Sequence, residues 1–270
     1  MTESQCQIAN GGGHEASTPF LDQRPAPDDA SSRRRLICPM GFVSVSSDQN
    51  DGPAERPLSD LLRERTRSLH ATAERSGVVS DILQRKADRM EYALLLRNLV
   101  PAYERLEAEL SARHVEPVFG VFARRAVRRA DRIRSDLCNI AGSEWERSLP
   151  LLASGAAYAS AIAKAAAGDG LRLVSHAYVR YFGDLSGGQV LKKLLGKSMS
   201  LPADALSLYD FPDTDTQRLK QSMRDALDHA GRITDDPHKL VIEAMTAFEH
   251  NICVSREVKV RRRSNRPALA

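Results

Sequence analysis

A chain of 270 residues can bury a substantial core, and its 42% hydrophobic and 27% charged residues are the proportions of a water-soluble globular protein. No apolar run approaches the roughly 20 residues needed to cross a bilayer, so a membrane-spanning helix is not expected. The net charge of +4 arises from acids and bases mixed along the same segments, which suits solvated helix faces and argues against a nucleic-acid groove.

Residues 1 to 56 are rich in Gly, Ser, Pro, Asp and Asn, as in Gly11-Gly12-Gly13 and Pro25-Ala26-Pro27, and are expected to form a disordered tail. Within it, Arg33-Arg34-Arg35 followed by Leu36-Ile37-Cys38 imitates the start of an export signal. Pro39 and Gly41 interrupt the apolar part and no clean cleavage site follows, so export is not expected; Met40 is an alternative start. The four cysteines (Cys6, Cys38, Cys138, Cys253) lack any C-x-x-C pair or framework spacing, which points to reduced thiols and a cytoplasmic protein.

Beyond Pro57 the pattern is helical almost throughout. Leu58, Leu61, Leu62, Thr66, Leu69 and Ala73 recur at 3.6-residue spacing, and Arg63, Arg67, His70 and Glu74 border that apolar stripe. A histidine there suits either a packed core position or a metal ligand whose second ring nitrogen is held by Glu74. Met90, Leu94, Leu95, Leu99, Tyr103, Leu106 and Leu110 predict a second long helix, and Ala157 to Ala167 a third.

The run from His176 to Lys193 holds three glycines and one acid inside a helical pattern, although each interior glycine costs about 1 kcal/mol relative to alanine. Gly183, Gly187 and the adjacent Gly188 would leave a strip of helix without side chains, open to a flat ligand or to a close helix crossing. Asp184 lies one turn from both Arg180 and Gly188, where its carboxylate can accept from Arg180 or hold water at that strip. His176 precedes Gly183 by seven residues and is expected near the same bare face. The other histidines (His14, His114, His229, His238, His250) have no partner pattern. Further on, Gln217 to Ala230 reads as a helix presenting Lys220 and Arg224 on one face, a spacing equally common on plain solvated surfaces. Asp235-Asp236-Pro237 opens a last helix to Val258, and residues 261–270 form a basic tail. With no strand-like segment and loops of bundle length, the expectation is an all-α, single-domain multi-helix bundle over 57–260.

Two segments carry a family resemblance. The stretch Ser175 to Lys193 resembles the distal-helix signature of heme oxygenases almost without interruption, and Leu62 to Glu74 resembles their proximal helix. Weaker similarity, including Trp145 and Pro150, extends over residues 58 to 258. The resemblance implies that His70 ligates the iron of heme b, which serves as both cofactor and substrate. It further implies that Arg63, Lys220 and Arg224 meet the propionates, that Tyr178 bounds the propionate side, and that Phe248 and Asn251 wall the pocket. Gly183, Gly187 and Gly188 would form the distal wall, with Asp184 and Arg180 on its polar side. It assigns no ligand role to His176.

The implied reaction opens heme at a meso carbon to biliverdin, carbon monoxide and ferrous iron, using dioxygen. The chain shows no Gly-x-Gly-x-x-Gly or other nucleotide fingerprint, so electrons are expected from an external ferredoxin or reductase, with a bilin acceptor as a further partner. The C-terminal residues show no membrane anchor, unlike the animal enzymes. A non-degrading heme-binding or trafficking protein of the same fold would need His70 and the cations but neither the glycines nor Asp184; relatives of this fold that bind no heme are a third reading.

Overall fold

The computed structural model describes residues 56–264; the expectations for residues 1–55 and 265–270 lie outside the described residues. The described residues form ten α-helices with no strand; most are joined by short turns, and the longer connections 113–129 and 200–215 carry 3-10 turns, among them Ser207–Tyr209. They run α1 (Leu58–Glu74), α2 (Gly77–Leu83), α3 (Arg89–Ala112), α4 (Ala130–Ala141), α5 (Trp145–Ser148), α6 (Ala153–Ala165), α7 (Leu173–Ala177), α8 (Gly183–Met199), α9 (Thr216–Ile233) and α10 (Pro237–Ser264). A π-helical turn, Tyr178–Phe182, joins α7 to α8, so the helical path continues from Leu173 to Met199.

Local chemistry sets the starts. Asp88 accepts from the amides of Met90 and Glu91 while the Glu91 carboxylate accepts from the Asp88 amide, a reciprocal cap for α3. Asp215 accepts from Gln217 and Arg218 at the start of α9. The last helix opens at Pro237 as its sequence predicts, with Asp236 accepting from the His238 amide, and it runs past Val258 through the basic stretch to Ser264. The third expected helix begins earlier than its pattern, at Ala153, because the buried Asn98 side chain takes the Leu152 amide and fixes the turn before it.

Helices α3 and α10 are the axis of the bundle: α3 packs on α4 and α6, while α10 packs on α1, α2, α6 and α7. The α1 stripe is buried at Leu58, Leu62 and Thr66, each apolar member contributing about 1.5–3 kcal/mol. Gly77, at φ +57°, lets α2 start directly against α10, where a Cβ would lie 2.2 Å from the Ser255 carbonyl carbon. No helix among the described residues is long and apolar enough to cross a membrane.

Candidate active site

The three glycines of α8 do not share one environment. A Cβ at Gly183 or Gly187 would meet no atom within 4 Å, and both residues are exposed. Gly188 faces the interior, where a Cβ would stand 2.9 Å from Cδ1 of Tyr209. The expected strip of three therefore separates into two glycines fronting open space and one fitted against a ring. The one-residue offset explains it, since Gly188 is rotated about 100° from Gly187.

Behind the open face lies a buried polar network. The Tyr103 hydroxyl, from α3, donates to Asp184 Oδ2 at 2.7 Å and accepts from Arg180 Nε at 3.1 Å. Arg180 also donates to Asn251 Oδ1, and Asn251 Nδ2 donates to the Ala247 carbonyl one turn back on α10. Arg180 is thus linked to Asp184 through Tyr103, where the sequence offered the carboxylate either Arg180 itself or water. Burial pushes the Asp184 carboxyl above its ordinary pKa, against the opposing pull of the Arg180 charge, the Tyr103 hydrogen bond and the Arg129 charge. For Arg180, burial opposes the charge, but Tyr103, Tyr158 and Asp184 outweigh it and keep the guanidinium ionised.

A second group of candidate residues lies on α1. His70 has a side chain 60% exposed, with Nδ1 3.6 Å from Glu74 Oε1 and its ring edge-on to Phe248 of α10 at 6.0 Å. One turn earlier, Thr66 Oγ1 lies 3.5 Å from the Tyr178 hydroxyl. Because Thr66 already donates to the Leu62 carbonyl at 2.7 Å, Tyr178 is the donor in that pair. This contact sets the His70 helix alongside the π-turn that leads into Gly183. Burial raises the Tyr178 pKa, and the Arg63 charge opposes it. Phe182 packs on Tyr178 at 5.4 Å, and the Arg224 guanidinium of α9 lies 5.9 Å from the Phe182 ring. Neither Lys220 nor Arg224 has a carboxylate partner among the described residues, whereas Arg63 reaches Asp60 only loosely, at 3.4 Å.

A further expectation is corrected. His176 does not lie near the bare face: it is fully buried, with Nε2 2.8 Å from Glu243 on α10 and its ring tilted against Tyr158. The π-turn between His176 and Gly183 adds a residue to the helical path and rotates the two positions apart. Sequence reasoning missed Tyr103, Thr66, Phe182 and Tyr209. The signal for Tyr103 was a hydroxyl-bearing ring on an otherwise aliphatic stripe, which requires a buried partner; Thr66 and Phe182 gave none.

The heme oxygenase family model matches residues 56–257. The chain belongs to the heme oxygenase family. It is 31% identical over 203 residues to heme oxygenase 1 of Synechocystis, covering 75% of this chain and 85% of that protein. To human heme oxygenase 1 it is 30% identical over 206 residues, covering 75% and 72%. The crystal structure of heme oxygenase-1 from Synechocystis in complex with heme superposes with a TM-score of 0.69 at 30% identity, covering 76% of this chain and 94% of that one. The heme oxygenase structure from Leptospira interrogans gives 0.70 at 29% identity, covering 75% and 100%.

Heme fits the residues present. A flat macrocycle needs a wall that side chains do not interrupt, and Gly183 and Gly187 supply one with open space before it. Its two carboxylates need cations free to pair, and among the described residues Lys220 and Arg224 pair with no carboxylate. Its iron takes an imidazole, and His70 is exposed on the neighbouring helix.

Proposed function

We propose that this chain is a heme oxygenase that binds heme b and opens it at a meso carbon, giving biliverdin, carbon monoxide and ferrous iron. The observation that carries this reading is the open space before Gly183 and Gly187, beside the His70 helix and backed by the buried Asp184 network. Heme supplies both the iron at which oxygen is activated and the ring that is cleaved. With Nδ1 turned toward Glu74, Nε2 of His70 is the nitrogen left for the iron. Lys220, Arg224 and Arg63 hold the propionates, and Tyr178 and Phe248 bound the ring.

The distal residues manage protons and orientation. Gly183 and Gly187 present backbone alone, so the wall offers no side-chain acid in direct reach and leaves room to seat oxygen toward the macrocycle edge. Asp184 is held by Tyr103, itself held by Arg180 and Asn251, so the carboxyl points one way. Raised by burial, it exchanges a proton closer to neutrality than an ordinary carboxyl and passes it through ordered water. Electrons come from a separate ferredoxin or reductase, with the exposed cations Arg63, Arg67 and Arg224 suited to an acidic donor. A bilin-binding acceptor takes the product, and the cytoplasm is the compartment.

Adding hemin to the purified protein and then ascorbate, or a ferredoxin system, in air tests the reading. The expected result is a Soret band that forms on binding and decays as biliverdin absorbance rises. A Soret band that persists under reduction in air would overturn it in favour of a carrier.

A further inference from the structure

The turn behind α8 is fastened by two buried charges. Asp136 of α4, fully buried, accepts from the Ser207 amide at 2.8 Å, the Ser207 hydroxyl at 2.7 Å and the Leu208 amide at 2.9 Å. Arg129, 1% exposed, donates to the carbonyls of Leu208 at 3.0 Å and Asp210 at 2.7 Å, and its guanidinium lies 4.1 Å from the Phe211 ring. Glu107 of α3 in turn accepts from the Arg129 and Ala130 amides. Taking charges out of water is costly, and such groups hold only when nearly every polar atom is paired, which fixes the geometry of whatever they pair with.

What they fix is Tyr209. Its ring fills the space a Gly188 Cβ would occupy, its carbonyl accepts from Gln189 Nε2 at 2.7 Å, and the neighbouring Asp210 is paired with Lys192 on the same helix. Its hydroxyl reaches the Tyr92 hydroxyl of α3 at 3.4 Å. The open face of α8 is therefore only one helix diameter from a ring that cannot retreat.

We infer that Tyr209 is a positioning residue: its ring is a fixed stop behind Gly188 that sets how far the Gly183 and Gly187 face stands over the bound heme, and so which meso carbon is attacked. The inference rests on the heme-cleaving function proposed above. Tyr209 does not touch substrate; it acts through the backbone at Gly188. The ring does the positioning, and the hydroxyl only anchors the ring.

The test compares the biliverdin isomers and the C–O stretch of the ferrous carbonyl complex in wild type, Tyr209→Phe, Tyr209→Leu, Gly188→Ala and the Gly188→Ala/Tyr209→Leu double variant. Tyr209→Phe keeps the wild-type isomer ratio. Gly188→Ala pushes the helix toward the substrate and Tyr209→Leu lets it fall back, and each raises the minor isomers about threefold or more, as sub-ångström displacements of a reacting geometry do. Combined, the two changes compensate, and the ratio and the stretch move back toward wild type. Unchanged isomers and stretch in Tyr209→Leu, which removes the ring without adding bulk, would overturn the inference even if Gly188→Ala failed to fold. So would equal effects of Tyr209→Phe and Tyr209→Leu. If wild type itself forms no biliverdin, it is the functional reading that fails, and the carbonyl stretch of the heme complexes still reports whether Tyr209 sets the distal wall.

Discussion

The two walls of the candidate site are built in opposite ways. On α1, His70, Arg63 and Arg67 are exposed and loosely partnered, while behind the open face of α8 Asp184, Tyr103 and Arg180 form a closed hydrogen-bonded network in the interior. Exposed groups complete their contacts only when a ligand arrives, so in the proposed site the α1 side would do the holding. A buried network is aligned before the ligand arrives, so in the proposed site the α8 side would serve the reaction. Variants of the α1 wall should change what binds and how, with little effect on stability; variants behind α8 should change both turnover and folding.

The sharpest contrast comes from His70→Ala. Losing a group that merely orients a ligand costs about 10–100-fold, so loss of the iron ligand itself should lower turnover by at least that factor. Electron paramagnetic resonance of the ferric complex should lose the axial imidazole signature, and added imidazole should restore part of it. Stability should move by no more than about 0.5 kcal/mol, as for an exposed position. Retention of the imidazole signature would remove His70 from its role. Asp184→Ala comes next: turnover should fall about 10²–10⁴-fold, the scale of a lost general acid, while hemin still binds and peroxidase-like oxidation of guaiacol rises. Undiminished biliverdin output would separate Asp184 from the chemistry.

The contrast between the walls also explains what the sequence revealed. Helices α1, α3, α9 and α10 have long apolar stripes at helical spacing, and their starts carry aspartates and a proline, so their existence and approximate ends were readable. Helix α4 was not singled out: its apolar positions Ile133, Leu137 and Ile140 are diluted by charges, and one of them, Asp136, is itself buried. At the site, the motif residues were legible because each stands in a contiguous run. Their partners were not, since Tyr103, Thr66 and Tyr209 lie on other elements and meet α8 or the π-turn before it only through tertiary packing. The misplacement of His176 has a local cause: a π-turn alters helical phase, and no residue type announces it.

A subtler measure of the buried wall is the pH dependence of Asp184→Asn. In the unfolded chain this carboxyl ionises near its ordinary value of about 3.9, whereas burial moves ionisation in the folded protein to higher pH. Between those two points the folded state holds a proton the unfolded chain has released. The contribution of Asp184 to stability is therefore fully present below about pH 3.9 and declines as pH rises through the folded pKa. An asparagine still accepts from Tyr103 and cannot ionise. The melting temperature of Asp184→Asn relative to wild type should rise from about pH 4 upward and level off once the folded carboxyl has titrated. A difference that stays flat with pH would mean that Asp184 ionises as freely inside the protein as outside.

The smallest effects belong to the rim. Lys220 is half-buried and Arg224 exposed, so their proposed pairs with the propionates would be partly solvated, and pairs of that kind contribute about 0.2–1 kcal/mol. Replacing either by alanine should weaken hemin binding no more than roughly fivefold, without altering the isomers of biliverdin or the melting temperature of the apoprotein. Because exposed charges are screened within about 8–10 Å at ordinary ionic strength, the loss should shrink as salt is raised, and the double variant should lose about the sum of the two. Arg224 also lies against the Phe182 ring, so Arg224→Lys, which keeps the charge but not the planar stacking group, should recover only part of the affinity. Full recovery would show that charge alone holds the propionate; none would show that Arg224 serves the wall of the pocket through Phe182 and not its mouth.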